Sequence, residues 1–267
     1  MNKFLTLMMC IASIISGFSA AHQVDGDMEN ILVSASLLPI TSKRSANAIT
    51  IIGSDQIKNR AVVSVSDLLR DVAGLAVSRS GVQGSQTQIR VRGGEANHLL
   101  VLIDGVEVNN PSQNDEFNWG NLVASDIERI EVIRGPQSSM LGSDAMAGVV
   151  NIITRSADQP LSTNIFSEIG SFNTQNNGIS IGLKDGAFDM RLGISDLQTD
   201  GDNISRSGSE KDGYENTNLN LKSGWRVSNQ LNLTLAARQS DGINEFDADI
   251  NFDSLIDDQD DLSKFLS

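Results

Sequence analysis

Over most of the second half of this 267-residue chain, apolar and polar positions alternate. Ile165 and Ile169, then Ile179, Ile181 and Leu183, are separated by small or polar residues. The same period continues through Phe188, Met190, Leu192 and Ile194, through Leu219 and Leu221, and through Leu231, Leu233 and Leu235. Successive side chains of a strand point to opposite faces, so the pattern predicts antiparallel strands with one apolar and one polar face. Pattern alone fits two structures equally: a half-buried soluble sheet, and a membrane-barrel wall with one face to lipid and one to a wet lumen.

The first half mixes periods. Ala48 to Ile52 reads as a strand, followed by Ser54-Asp55-Gln56-Ile57, where Ser54 is placed to cap a short helix. Ser64 precedes Val65, Leu68, Leu69 and Val72, a helical apolar stripe with Asp67 at the capping-box position. Leu75 and Val77 predict a strand after Gly74, and Arg90 and Arg92 share one face of a later one. Leu99 to Ile103 is a continuous apolar strand, Asp104-Gly105 a two-residue hairpin turn, and Val106 and Val108 the return. Two further strands, around Ile130-Glu131-Val132-Ile133 and Val149 to Ile153, flank a turn region carrying Gly135-Pro136, Gly142 and Gly148. A small mixed α/β domain results.

The amino terminus has Lys3, an apolar run from Phe4 to Ile15, Gly17 and small residues Ser19-Ala20-Ala21. This predicts a secretory signal peptide over residues 1–21. Cys10, the single cysteine, lies inside it, so the mature chain is expected to have no disulfide or thiol chemistry. No other apolar run is long enough for a membrane-crossing helix. The net charge is −14, with the acid concentrated after residue 156, which argues against nucleic acid as a partner. Two histidines, His22 and His98, and no nucleophile motif make an enzyme a poor reading.

Asp241 to Asp261 contains nine acidic residues and no base, and is expected to be a long acidic loop. Within it Asp247, Asp249, Asn251 and Asp253 place oxygen donors on alternate residues, as calcium loops do. Phe252 and Asp258 at the sixth and twelfth positions exclude an EF-hand. Asp200, Asp202, Glu210 and Asp212 are available from a neighbouring loop. A plain solvated acidic loop is the alternative, and no cofactor is required.

Four motifs in order, Arg90-Val91-Arg92-Gly93, Val101-Leu102-Ile103-Asp104-Gly105, Arg134-Gly135-Pro136 and Gly142-Ser143-Asp144-Ala145, resemble the plug domain of TonB-dependent outer-membrane receptors. The cobalamin and siderophore group is nearest. One departure is Met140-Leu141, where relatives usually carry a tyrosine before the glycine. The resemblance implies an α+β plug domain over residues 36–155. Residues 156–267 would then be the N-terminal antiparallel strands of a transmembrane β-barrel, with five or six strands and acidic loops. Such receptors close about 22 strands around their plug, so the expected barrel is truncated and not closed. Phe166, Phe172, Phe188, Tyr214 and Trp225 become candidates for the interfacial girdle.

Function follows as a further implication. Residues 22–35 would be an arm in which Glu29, Asn30, Ile31, Leu32, Val33, Ser34 and Ala35 resemble the TonB box. Without the resemblance, the same residues read as a first plug strand. TonB, within its complex with ExbB and ExbD, would displace the plug and admit cobalamin or a ferric siderophore across the outer membrane of a Gram-negative bacterium. Two plug loops would touch that ligand, through Gln83, Ser85 and Gln86 in one and Asn109, Asn110, Ser112, Asn114 and Phe117 in the other. Arg92 and Arg134 match family arginines that anchor the plug to wall glutamates on later strands, absent from this chain, so a poorly held plug is expected. Cobalamin receptors of the family hold calcium in acidic outer loops. The alternative is a truncated, non-transporting plug-bearing fragment that only binds TonB or ligand.

Overall fold

The computed structural model describes residues 31–32, 40–41, 48–205, 209–248 and 256–266. The segment read as a signal peptide lies outside these residues. Ile31–Leu32 (β1) and Ile40–Thr41 (β2) are two-residue strands.

The first body of structure is built on a five-stranded sheet. Its strands are Ala48–Ile52 (β3), Ile127–Arg134 (β8), Gly148–Thr154 (β9), Leu99–Ile103 (β6) and Val106–Glu107 (β7), in that spatial order. Pairing is antiparallel except between β6 and β9. Of the middle strands, β6 and β9 read as nearly unbroken apolar runs because both faces are covered. Ile130, Val132, Val150 and Ile152 feed one core cluster, whereas Ile133, Val149 and Leu100 feed another. Buried Glu131 is held on β8 by Arg129 at 2.9 Å and by Asn151 at 3.3 Å.

A hairpin of Leu75–Arg79 (β4) and Thr87–Val91 (β5) adds Ile89 and Val91 to the larger cluster. Helix Val65–Leu69 (α2) buries Val65, Leu68 and Leu69 there, and Val72 joins them just past its end. Each buried leucine of that kind is worth about 1.5–3 kcal/mol. Ser64 caps α2 by accepting from Ser66 N, but Asp67 does not close a capping box; its carboxylate takes Arg79 at 3.2 Å instead. Helix Ser54–Arg60 (α1) starts one residue earlier than expected, with Gly53 as N-cap and Gln56 Oε1 accepting from Gly53 N at 3.3 Å. Ser138–Leu141 (α3) fills the turn region before β9. Asp104 and Gly105 both have positive φ, 52° and 83°, as a two-residue hairpin turn requires. Arg92 lies beyond the end of β5 at φ 49° and does not share a strand face with Arg90.

The second part is a meander of six antiparallel strands: Leu161–Ile169 (β10), Gln175–Asp185 (β11), Phe188–Thr199 (β12), Tyr214–Arg226 (β13), Asn232–Ala248 (β14) and Asp257–Leu266 (β15). The strands form an open sheet; among the described residues, β10 and β15 are its edges. The expected long acidic loop is mostly strand. Residues 241–248 belong to β14 and residues 257–261 to β15, with a bulge between Phe246 and Ala248. A ladder is made by backbone groups, so acidic side chains do not prevent it.

The polarity of this wall is the reverse of a soluble sheet. Its covered face carries Asn176, Ser180, Arg191, Ser195, Asn216, Asn218 and Ser240, all buried. Its open face carries Ile165, Leu183, Leu192, Leu219, Leu233 and Leu235, all exposed. In register, Ile165, Ile179, Ile194 and Leu219 form one continuous apolar row across four strands. Phe188 pairs with Trp225 on the same face, and Phe172 is exposed. Two girdle candidates are corrected. Tyr214 is 1% exposed and faces the first body, and Phe166 lies over Gly178 on the covered face.

Candidate functional site at the loop end of the plug and wall

Strand directions give the wall two ends. β11 and β12 are joined at one end by Gly186-Ala187, and β13 and β14 by a five-residue turn there. At the other end lie the strand ends Thr199 and Tyr214, and Ala248 and Asp257, which are further apart in sequence. The loop between β4 and β5 reaches that second end, where Gly81 comes near Ile204 and Gly84 lies against the ring of Tyr214.

The predicted ligand loops divide into residues that hold the loops and residues that face outward. Gln86, Asn110, Ser112 and Asn114 are exposed, and Gln83 is half-buried. Ser85 is only 4% exposed, packed into the plug rather than presented. Asn109 is also engaged internally: it accepts from Val101 N at 2.8 Å and donates to Leu99 O at 3.0 Å and Asp115 O at 2.7 Å. Asn110 caps a short 3-10 turn by accepting from Ser112 N at 3.0 Å. Phe117 meets Trp119 edge to face, with ring centroids 4.9 Å apart. Trp119, 2% exposed, was not picked out from sequence; its place three residues past the polar run is the only cue.

Beside this loop end, three carboxylates converge. Oxygens of Glu210, Asp212 and Asp247 all lie within 4.8 Å of one another, and Asp212 and Asp247 are buried. Of the alternating run, Asp249, Asn251 and Asp253 lie outside the described residues. Asp200 instead pairs with Lys211 at 3.8 Å, and Asp202 contributes a backbone carbonyl to Asp212 N at 3.3 Å. An all-oxygen, anionic donor set suits a hard cation such as calcium.

Below the loops, the plug and the wall meet through buried ions. Lys222 of β13 donates to Asp104 Oδ1 at 2.6 Å and to Thr154 O at 2.8 Å. Asp104 in turn accepts from Thr154 N at 3.1 Å and from its hydroxyl. Arg191 of β12 donates to Asp126 at 2.9 Å and to Ser180 at 2.6 Å. Burial pushes the Asp126 carboxyl above its ordinary range, against the opposing pull of Arg191. A cavity of about 200 Å³ lies along this seam, lined by Asp104, Asp126, Lys222 and Arg238 among others. The seam therefore combines buried ion pairs with an unfilled cavity that also has apolar walls, Ile103, Val106 and Leu221 among them. Sequence phase holds the missed signal: Arg191 precedes outward Leu192, and Lys222 follows outward Leu221, so both point inward.

The two predicted anchors are placed differently. Arg134 donates to Ala48 O at 3.3 Å, Ala73 O at 2.5 Å and Thr50 Oγ1 at 2.9 Å, all within the plug. Arg92 is exposed, and its backbone N donates to Gly74 O at 2.8 Å. The expected poor hold on the plug is countered by Lys222 and Arg191, which supply attachments from the strands present. His98 Nδ1 accepts from Glu95 N at 3.4 Å beside the hairpin.

A mixed α/β domain seated on the polar face of an apolar-backed, open β-wall has the architecture of a plug against part of a β-barrel. Comparison with known proteins agrees. The family model for the TonB-dependent receptor plug domain matches residues 41–149. The vitamin B12 transporter BtuB of Vibrio vulnificus is 28% identical over 252 residues, spanning 93% of this chain and 41% of that protein. The siderophore receptor PirA of Acinetobacter baumannii superposes with a TM-score of 0.62 at 24% identity, over 74% of this chain and 32% of that one. The ferric yersiniabactin receptor FyuA of Yersinia pestis gives a TM-score of 0.62 at 22% identity, over 75% and 33%. Residues 41–149 thus match the plug domain of TonB-dependent receptors, and the chain shares the fold of such receptors across its plug and leading wall strands. It spans less than half the length of these relatives.

Proposed function

We propose that the chain serves TonB-dependent uptake of cobalamin or a ferric siderophore across the outer membrane of a Gram-negative bacterium. The observation that carries this is the seating of the plug loop between β4 and β5 at the long-loop end of a wall that is polar on its covered face and apolar on its open face. Glu29 to Ala35 is the segment TonB would engage, by adding a strand; Ile31–Leu32, within it, has strand conformation. Cobalamin is favoured by the likeness to BtuB, since the siderophore-receptor likenesses support the fold alone. Glu210, Asp212 and Asp247 would bind calcium at this loop end through their carboxylate oxygens. Gln86, Ser112 and Asn114 would face the cargo, and Arg92 remains the candidate for anchoring to further wall.

The test is uptake of radiolabelled cyanocobalamin and of a ferric catecholate by cells lacking their own receptors, with and without TonB. Uptake that requires TonB and fails when Leu32 is replaced by proline supports the reading. Protein present in the outer membrane without any uptake overturns it, leaving a plug-bearing fragment that binds TonB or ligand only.

A further inference from the structure

The side chain that joins the two plug loops to the wall is Tyr214, the first residue of β13. It is 1% exposed, and its hydroxyl reaches Gly120 O at 3.4 Å and receives Asn216 Nδ2 at 2.7 Å. Asn216 Nδ2 also donates to Asn121 O at 3.1 Å. The ring lies on Gly84, whose φ is +85° and where an added Cβ would overlap the ring itself. On the other side of the same backbone sits Gly120, where an added Cβ would overlap the carbonyl oxygens of Gly84 and Ser85. The backbone of Gly84-Ser85 is thus sandwiched between a wall aromatic and the turn Trp119–Asn121 that ends the second loop. Beyond the hydroxyl, Asn216 Oδ1 accepts from Asn218 at 3.2 Å and Ser240 at 3.0 Å, and Asn218 Oδ1 accepts from Arg238 at 3.2 Å. A buried polar ladder therefore holds the tyrosine from behind. On the outer side, Gly213 N donates to Glu245 at 2.7 Å, which fixes the chain between Tyr214 and Asp212.

We propose that Tyr214 is a positioning residue for the cargo site: it fixes the Ser80–Thr87 loop and the Trp119–Asn121 turn to the wall as one unit. This rests on the reading that these loops meet the cargo. The ring supplies the contact with Gly84, and the hydroxyl registers the turn. A buried aromatic has few rotamers, so it transmits the position of β13 to the loops with little slack. Detaching the ring frees the two loops without unravelling the sheet beneath, because that sheet owes its order to the β3, β6, β8 and β9 pairings.

The experiment is hydrogen exchange on the full chain in detergent, comparing wild type with Tyr214→Ala and Tyr214→Phe, together with cyanocobalamin binding to each. In Tyr214→Ala, amides at 84–87 and 119–122 should exchange about tenfold faster or more, while β8 and β9 keep their protection. Tyr214→Phe, which keeps the ring, should restore most of the protection at 84–87. Gly84→Ala displaces the ring from the plug side and should loosen the same amides, which keeps the test open if Tyr214→Ala does not fold. Unchanged loop exchange in both Tyr214→Ala and Gly84→Ala overturns the proposal. So does a loss of protection spread evenly over β8 and β9, or a phenylalanine variant as loose as the alanine one. Loosened loops with unchanged cyanocobalamin affinity would uphold the positioning role and set aside the cargo reading alone.

Discussion

Lys222 Nζ lies 2.6 Å from Asp104 Oδ1 across 118 positions of sequence, and this contact pins the hairpin turn of the plug to the wall. Both side chains are largely removed from solvent, at 15% and 5% exposure. Removing one member leaves the other charge buried without its counter-ion, which costs about 3–5 kcal/mol. Lys222→Ala is therefore expected to lower plug stability by about that amount, read as a fall in the denaturant midpoint. The double variant Lys222→Ala/Asp104→Asn should recover part of the loss, as a double-mutant cycle would show.

The Asp126–Arg191 pair carries a pH dependence. Because burial raises the folded carboxyl pKa, the folded state holds the Asp126 proton to higher pH than the unfolded chain does. The associated stability is fully present below the ordinary aspartate pKa of about 4 and is lost as pH rises through the folded value. Asp126→Asn lacks this titration. The Tm of the variant relative to wild type should accordingly climb as pH rises through that window and level off above it; a flat difference would contradict the assignment.

Calcium binding to the outer loops is checked by calorimetry. Glu210, Asp212 and Asp247 should give a site of the extracellular class, with Kd about 10⁻⁴–10⁻³ M. Asp212→Asn removes a buried ligand charge from the cluster and is expected to weaken binding at least about tenfold. Wild type without heat change at millimolar calcium would eliminate the site.

Leu192 is 45% exposed and lies between Ile181 and Leu221 in the apolar rows of the wall. On the proposed outer-membrane placement, an arginine there would face lipid and cost about 2–4 kcal/mol at mid-membrane depth. Leu192→Arg should reduce recovery in outer-membrane fractions, whereas Asn218→Ser, on the covered face, should not.

Gly148 begins β9, where an added Cβ would come 2.5 Å from the backbone oxygen of Ile133. Backbone cannot move aside as a flexible side chain would, so Gly148→Ala is expected to destabilise the plug by about 1–3 kcal/mol. Thermal unfolding followed by Trp119 fluorescence would read it.

Much of this was legible along the chain. The Asp104-Gly105 turn declares itself because two positive φ values in succession suit few residue pairs. The α2 stripe and the apolar runs of β6, β8 and β9 likewise follow from local period. Strand parity also held information not taken up: Leu219, Leu221 and Trp225 are odd-numbered and face out, so even-numbered Tyr214 had to face in. The conversion of an acidic stretch into β14 and β15 was hidden, because backbone pairing depends on a neighbouring strand rather than on the charge of the side chains.

By itself, the sequence determined the elements, the turn chemistry and the two opposed faces of the wall, since these arise from residues one to four positions apart. Only the tertiary structure decided that Lys222 meets Asp104, that Arg134 spends its donors inside the plug, and that Glu210, Asp212 and Asp247 converge. Such meetings depend on the register of the whole ladder and on how the plug seats against it. No local period encodes either, because each requires segments tens of residues apart to be ordered before they touch.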